Sequence, residues 1–285
     1  MNLNRRDFLG GFAAAAGLAA VGGCKCPFCG CGMARYAAQL YSIHKIFWKK
    51  PEWCLEGLRK AGFDGVEFAG YGKRGEKPKT AKEIAKLLAD AGLKGAGAHV
   101  NGVENWAGDG LKRNLDFCAE AGIESYTLPW YKTEGKENWD KFIAMMNTAA
   151  EAADAYGIRV GFHNHFHEFE QRIGDEFVWD YVYRRASPLL CQQVDTAQAI
   201  KTGVDPLELL KRYPTRNWYV HVKENYPMAN RPNDPTTPVD LKGIADWCNA
   251  DPNFRWYILE DERDQTSLGP TLALAKKLLP YVKRL

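Results

Sequence analysis

At 285 residues the chain suits one large domain or two ordinary ones, so length alone leaves the domain count open. A hydrophobic share of 46% and a charged share of 26% exclude a disordered chain and fit a globular core. Lys plus Arg exceeds Asp plus Glu by 38 − 35 = 3, so charge gives no reason to expect nucleic acid as a partner, and a neutral or weakly charged sugar fits as well as anything.

The chain opens on what reads as an address. Asn4-Arg5-Arg6-Asp7-Phe8-Leu9 is similar to a twin-arginine export signal, and a weakly apolar Ala/Gly stretch from Gly10 to Gly23 follows. That stretch is short and small-residued for a membrane span. Val21-Gly22-Gly23-Cys24 resembles a bacterial lipobox, whose cysteine is lipidated after cleavage. These resemblances imply export by the twin-arginine route and a mature protein that is periplasmic or lipid-anchored at Cys24. Cys26, Cys29 and Cys31 are spaced closely enough for a thiolate metal knuckle, but they abut the cleavage site. Residues 1–35 are therefore read as signal and tether. Cys54, Cys118, Cys191 and Cys248 are scattered singly and read as small buried residues.

From residue 36 to 285 one period recurs: a short apolar strand, then an amphipathic helix. The predicted strands are Ala37–Ser42, Gly65–Ala69, Lys94–Val100, Glu124–Pro129, Arg159–His165, Leu190–Asp195, Trp218–Val222 and Arg255–Glu260. The predicted helices are Glu52–Ala61, Thr80–Ala91, Gly110–Ala121, Asn138–Tyr156, Phe177–Ala186, Pro206–Tyr213, Leu241–Asn249 and Pro270–Val282. Gly62, Gly92, Gly122 and Gly157 each stand between a helix and a strand, where a left-handed backbone stops the helix. Alternating units of this kind imply parallel strands, and eight in about 250 residues is the size of a closed (β/α)8 TIM barrel. An open doubly wound sheet carries a Gly-rich phosphate loop after its first strand, and none is present here. No linker or composition shift divides the chain, so one barrel domain is expected.

A barrel keeps its chemistry at the carboxyl ends of the strands. Ligand-type residues gather there: Glu67, His99, His163-Asn164-His165, Asp195, His221-Val222-Lys223-Glu224 and Glu260-Asp261-Glu262. Strand interiors seldom hold such groups unless they are paired or bound to metal. Alternation turns His163 and His165 to one side and Asn164 to the other, and it pairs His221 with Lys223. Mixed imidazole and carboxylate donors suit one divalent ion, Mn, Zn, Co or Fe rather than Ca, with Mg kept as a candidate.

Gln39-Leu-Tyr-Ser, Gly-Phe-Asp-Gly-Val-Glu67, His163-Asn-His165 with Glu168-Phe169, Val-Asp195-Thr, Val-His221-Val-Lys223-Glu224 and Ile-Leu-Glu260 resemble the xylose-isomerase-like TIM-barrel superfamily, the sugar phosphate isomerase/epimerase group. The likeness spans roughly residues 36 to 285 and its motifs fall in order on the expected strands. It implies four metal ligands, Glu, Asp, His and Glu on the fifth to eighth strands. Three match as Asp195, His221 and Glu260. The fourth position holds His163, which can still ligate. Epimerases of this group use two metal-bound carboxylates on opposite faces of the substrate, a scheme that His163 weakens.

Glu260 is the expected base, with Lys223 or His165 as acid or oxyanion holder. Glu67, His99 and Glu224 are the expected substrate contacts. The competing readings are structural: Lys223–Glu224 as a rim ion pair, His165 as the orienter of a ligand, Glu67 and His99 as satisfied core groups, and His167 as a loop residue. Trp48, Trp106, Trp130 and Tyr131 are read as loop aromatics that stack on sugar rings or form a hydrophobic lid.

The leading expectation is a metal-dependent isomerase or epimerase acting beside a carbonyl of a sugar or keto-sugar. One base and one acid equally suit elimination or hydration of a 3-keto-glycoside or inosose. Loss of the fifth-strand Glu also leaves room for a non-catalytic sugar-binding barrel. An AP-endonuclease-like reading is disfavoured by the export signal and the near-neutral charge.

Overall fold

Eight parallel strands close into a barrel in sequence order, so that the first pairs with both the second and the eighth; Ala37 lies opposite Gly65 on one side and Ile258 on the other. This computed structural model describes residues 34–72, 77–224 and 239–281. The barrel strands are Arg35–Gln39, Gly65–Phe68, Lys94–His99, Ser125–Leu128, Arg159–His163, Leu190–Asp195, Tyr219–Val222 and Trp256–Leu259. Every neighbouring pair is parallel. Closure removes the free edges that an open sheet would expose. The residues read as export signal and cysteine tether, up to 33, lie outside the described residues. Among the described residues no helix is long and apolar enough to cross a membrane.

The helices form for the reasons their sequence predicts. Ala81–Ala91 begins at a capping box, in which Thr80 and Glu83 satisfy each other's backbone N–H groups. It buries Ile84, Leu87 and Leu88, then stops at Gly92. The punctuating glycines Gly62, Gly92, Gly122 and Gly157 have φ of 91°, 65°, 71° and 69°, conformations costly to any residue with a Cβ. Cys54, Cys118, Cys191 and Cys248 are buried free thiols.

Two strand ends differ from the pattern. The first strand stops at Gln39, because the Gln39 side chain accepts the Tyr41 N–H and turns Leu40–Ile43 into a 3₁₀ helix. The fifth stops at His163. There the Asn164 side chain takes over, accepting the Asp195 N–H at 2.8 Å and donating to its carbonyl at 3.3 Å. Asn164 thus clamps the fifth strand to the sixth, facing away from the lumen as alternation predicts.

Ala37, Cys191, Tyr219, Trp256 and Ile258 form a buried cluster separate from the main core between sheet and helices. They share strand parity with Gln39, Gln193, His221 and Glu260 and fill the lumen beneath them. Gly161 belongs to this plug. A Cβ there would lie 1.7 Å from Tyr219 Oη, which hydrogen-bonds Thr127 Oγ1 at 2.9 Å. Gly161→Ala is therefore expected to destabilise the barrel by about 3 kcal/mol, a fall of roughly 10 °C in Tm at this domain size. Thermal unfolding checks this, and an unchanged Tm would show that Tyr219 can step aside.

Candidate functional site

A cavity of about 680 Å³ opens at the carboxyl ends of the strands, lined by His99, His163, His165, Lys223 and Glu260 among others. On its floor Asp195, His221 and Glu260 bring one donor atom each to within 4.8 Å of one another. His221 Nδ1 lies 3.2 Å from Glu260 Oε2 and 3.6 Å from Asp195 Oδ2, and His163 Nε2 lies 3.7 Å from the same Asp195 oxygen. Three of the four residues expected as ligands therefore converge, and His163 adjoins Asp195 beside them. A second cluster overlaps the first: donor atoms of His99, His163 and His221 also converge within 4.8 Å.

The electrostatics of this floor call for positive charge. Asp195, His221 and Glu67 have no exposed surface, and Glu260 is 6% exposed. Lys223 supplies one cation: its Nζ lies 3.4 Å from Glu260 and 3.9 Å from Asp195, and it pairs with Glu262. Thr196 holds the Lys223 backbone in place, accepting its N–H and donating to its carbonyl. Burial disfavours the His221 imidazolium, yet contacts with Asp195 and Glu67 and the charge on Glu260 carry its pKa up to about 10. Burial opposes ionisation of Asp195 as well, but Lys223 and His221 hold its carboxyl below the ordinary range. Glu260 shows the opposite balance, with burial outweighing Lys223 and His221 and raising its pKa. Burial, reinforced by the neighbouring imidazoles, pushes His163 well below its usual value and leaves it neutral.

The donor set fits a divalent cation. Asp195 Oδ2 and both ring nitrogens of His221 are buried without a hydrogen-bond partner, although they converge with Glu260. Buried polar atoms are rarely left so. An ion accepting Asp195 Oδ2, His221 Nδ1, Glu260 Oε2 and His163 Nε2 would account for all but one of these orphans. His221 Nε2, on the far side of the ring, lies 3.2 Å from Glu67 Oε2, an arrangement common behind metal-bound histidines.

Three expectations need correction. Glu67 is no substrate contact. Its carboxylate lies beneath the cavity, held by Gln39 Nε2 at 2.6 Å and Gln193 Nε2 at 2.7 Å, with His99 at 3.1 Å. Glu224 leaves the cavity because the residue after Lys223 points the other way, and its carboxylate lies 2.6 Å from Lys277 Nζ. The rim ion pair between Lys223 and Glu224 accordingly does not form.

His99, His165 and Lys223 do line the cavity. Burial lowers the His165 pKa to about 3, so its ring is neutral at physiological pH and offers an N–H rather than a proton. Glu168, fully buried, accepts the His165 backbone N–H at 2.8 Å and meets His167 Nε2 at 2.9 Å. His167 is thus a packed structural residue. Of Trp48, Trp106, Trp130 and Tyr131, Trp130 alone lines the cavity; it is 43% exposed and packs edge-on against His165. Trp106 is buried instead, its indole donating to the Val100 carbonyl.

Sequence reasoning missed Gln193, and it named Gln39 and Glu262 without giving either a role. Gln193 carried a usable signal, since it stands two residues before Asp195 on the same strand and must share its face. Glu262 lies beyond the eighth strand, where alternation no longer applies.

The family model for the xylose isomerase-like TIM barrel matches residues 55–279, and the chain belongs to that family. No curated protein matches it. Among solved structures, a sugar phosphate isomerase/epimerase from Parabacteroides distasonis superposes with a TM-score of 0.74 at 20% identity, covering 88% of this chain and 98% of that one. An L-ribulose 3-epimerase gives 0.60 at 18% identity, covering 87% and 93%. The IOLI protein with a bound zinc atom gives 0.61 at 16% identity, covering 88% and 100%. At these identities the structural likeness carries the fold.

Proposed function

We propose that this protein is a divalent-metal-dependent enzyme of the sugar isomerase/epimerase type, moving a proton beside a carbonyl of a sugar or keto-sugar. The observation that carries the reading is the convergence of Asp195, His221 and Glu260, with His163 adjoining, on the floor of a cavity large enough for a sugar. The names of its structural relatives, two of them epimerases and one zinc-bound, support the same reading. When bound, the cation withdraws electron density from a substrate carbonyl oxygen and acidifies the neighbouring C–H. Glu260 takes that proton. Lys223, an ammonium among carboxylates, and the neutral His165 N–H hydrogen-bond to oxygen atoms on which charge develops. Trp130 offers an exposed ring face to an apolar sugar face.

One observation favours a second outcome at the same centre. His163 stands where the family pattern has Glu, which leaves Glu260 as the carboxylate base and suits elimination or hydration of a 3-keto-glycoside or inosose. Incubation of the metal-loaded protein with ketoses and with 3-keto-glycosides separates the two by mass spectrometry. Epimerisation conserves the molecular formula, and elimination releases an aglycone or water. Sugar binding without turnover of either class, unaffected by a chelator, would instead identify a sugar-binding barrel and overturn the enzymatic reading. The twin-arginine-like and lipobox-like segment supports export and a lipid tether at Cys24, checked by the mass of the mature N-terminal fragment.

A further inference from the structure

The hydrogen bonds that radiate from Glu67 determine which imidazoles are available as ligands. A carboxylate accepts and cannot donate, so Gln193 must turn its amide nitrogen to Glu67 Oε1, 2.7 Å away, and its oxygen outward. That oxygen meets His163 Nδ1 at 2.9 Å and His99 Nε2 at 2.7 Å. An amide oxygen only accepts, so both nitrogens carry their protons. His163, holding one ring proton, therefore presents a bare Nε2 lone pair on its other side, 3.7 Å from Asp195 Oδ2.

His99 has no such lone pair. Gln39 places its Nε2 on Glu67 Oε2 at 2.6 Å, while its Oε1 takes the Tyr41 N–H at 3.0 Å. The second hydrogen of that Gln39 nitrogen faces His99 Nδ1 at 3.3 Å. Both nitrogens of His99 are thereby used. The overlapping cluster of His99, His163 and His221 is thus one donor short, and the cluster through Asp195 and Glu260 is the one able to ligate.

We infer that Gln193, itself held by Glu67, is a positioning residue that presents His163 Nε2 as a metal donor and withdraws His99 from ligation. This rests on reading Asp195, His221 and Glu260 as a cation site. The centre becomes two nitrogens and two oxygens, softer than the three carboxylates and one imidazole of the family pattern. Such a set favours Zn²⁺ or Co²⁺ over Mg²⁺.

The test is Co²⁺ titration of the chelator-treated protein by calorimetry and visible absorption, with ¹⁵N-resolved imidazole spectra before metal is added. The parent protein is expected to show His163 as the Nδ1–H tautomer. Gln193→Leu removes the acceptor, mixes the tautomers and weakens Co²⁺ binding by about 10- to 100-fold. In a His163→Ala background the same change adds less than about threefold. His99→Gln leaves the Co²⁺ spectrum unchanged. Parent-like Co²⁺ affinity in Gln193→Leu, an equal loss in the His163→Ala background, or an altered spectrum in His99→Gln overturns the inference. Should Gln193→Leu fail to fold, the contrast between His163→Ala, which must weaken Co²⁺, and His99→Gln, which must not, still decides. No Co²⁺ binding by the parent protein overturns the cation site itself, whereas parent binding with an undisturbed Gln193→Leu overturns the inference alone.

Discussion

Glu260→Gln lowers kcat by about 10³-fold, the loss expected when a general base is removed. The carboxylate lines the cavity, with Oε2 at 3.2 Å from His221 Nδ1 and 3.4 Å from Lys223 Nζ. Burial raises its pKa, which brings it closer to the basicity that proton abstraction from carbon requires. Glutamine keeps the shape and removes the charge, so the fold is expected to survive with an equal or higher Tm, one of several crowded carboxylates having been neutralised. The accompanying signature is isotopic. In D₂O the parent protein exchanges the substrate hydrogen beside the carbonyl, and the variant does not. A variant that still exchanges at the parent rate would move the base elsewhere, with Glu262 the next carboxylate on the cavity wall.

The second large effect is on stability. Lys223→Met is expected to cost about 3 to 5 kcal/mol in metal-free protein, because it strands buried carboxylates whose charge that ammonium balances. Lys223 is 5% exposed, and Asp195, Glu260 and Glu262 all lie within its reach. At this domain size the cost is roughly 10 °C in Tm. Two conditions are expected to narrow the gap. Saturating Zn²⁺ or Co²⁺ replaces the missing positive charge on Asp195 and Glu260. Acidification does the same by protonating the carboxylates that methionine leaves unbalanced. Differential scanning calorimetry with and without metal checks both, and a metal-independent Tm loss would mean that Lys223 acts through packing alone.

The barrel was legible in the order of residues because its determinants are local. Helix-stopping glycines and apolar spacing such as Ile84, Leu87 and Leu88 act within a few positions of one another. Strand ends were less legible. The fifth strand stops at His163 because Asn164 bonds across to Asp195, 31 positions away in sequence. The same limit explains Glu67. Its residue type and place at a strand end read as a substrate contact, and only the arrival of Gln39, Gln193, His99 and His221 from other strands shows it spent below the cavity.

Sequence by itself determined the eight-unit architecture, the strand-end address of the polar residues and the shared parity of His163 with His165 and of His221 with Lys223. These follow from periodicities of the backbone, which hold wherever the chain goes. Tertiary structure alone decided that Lys223 neutralises the site and does not pair with Glu224, that Glu224 reaches Lys277, and that His163 offers a free nitrogen while His99 does not. The reason is physical. Donor and acceptor roles inside a low-dielectric lumen are settled by whichever groups converge there from distant strands, and no local pattern encodes that meeting.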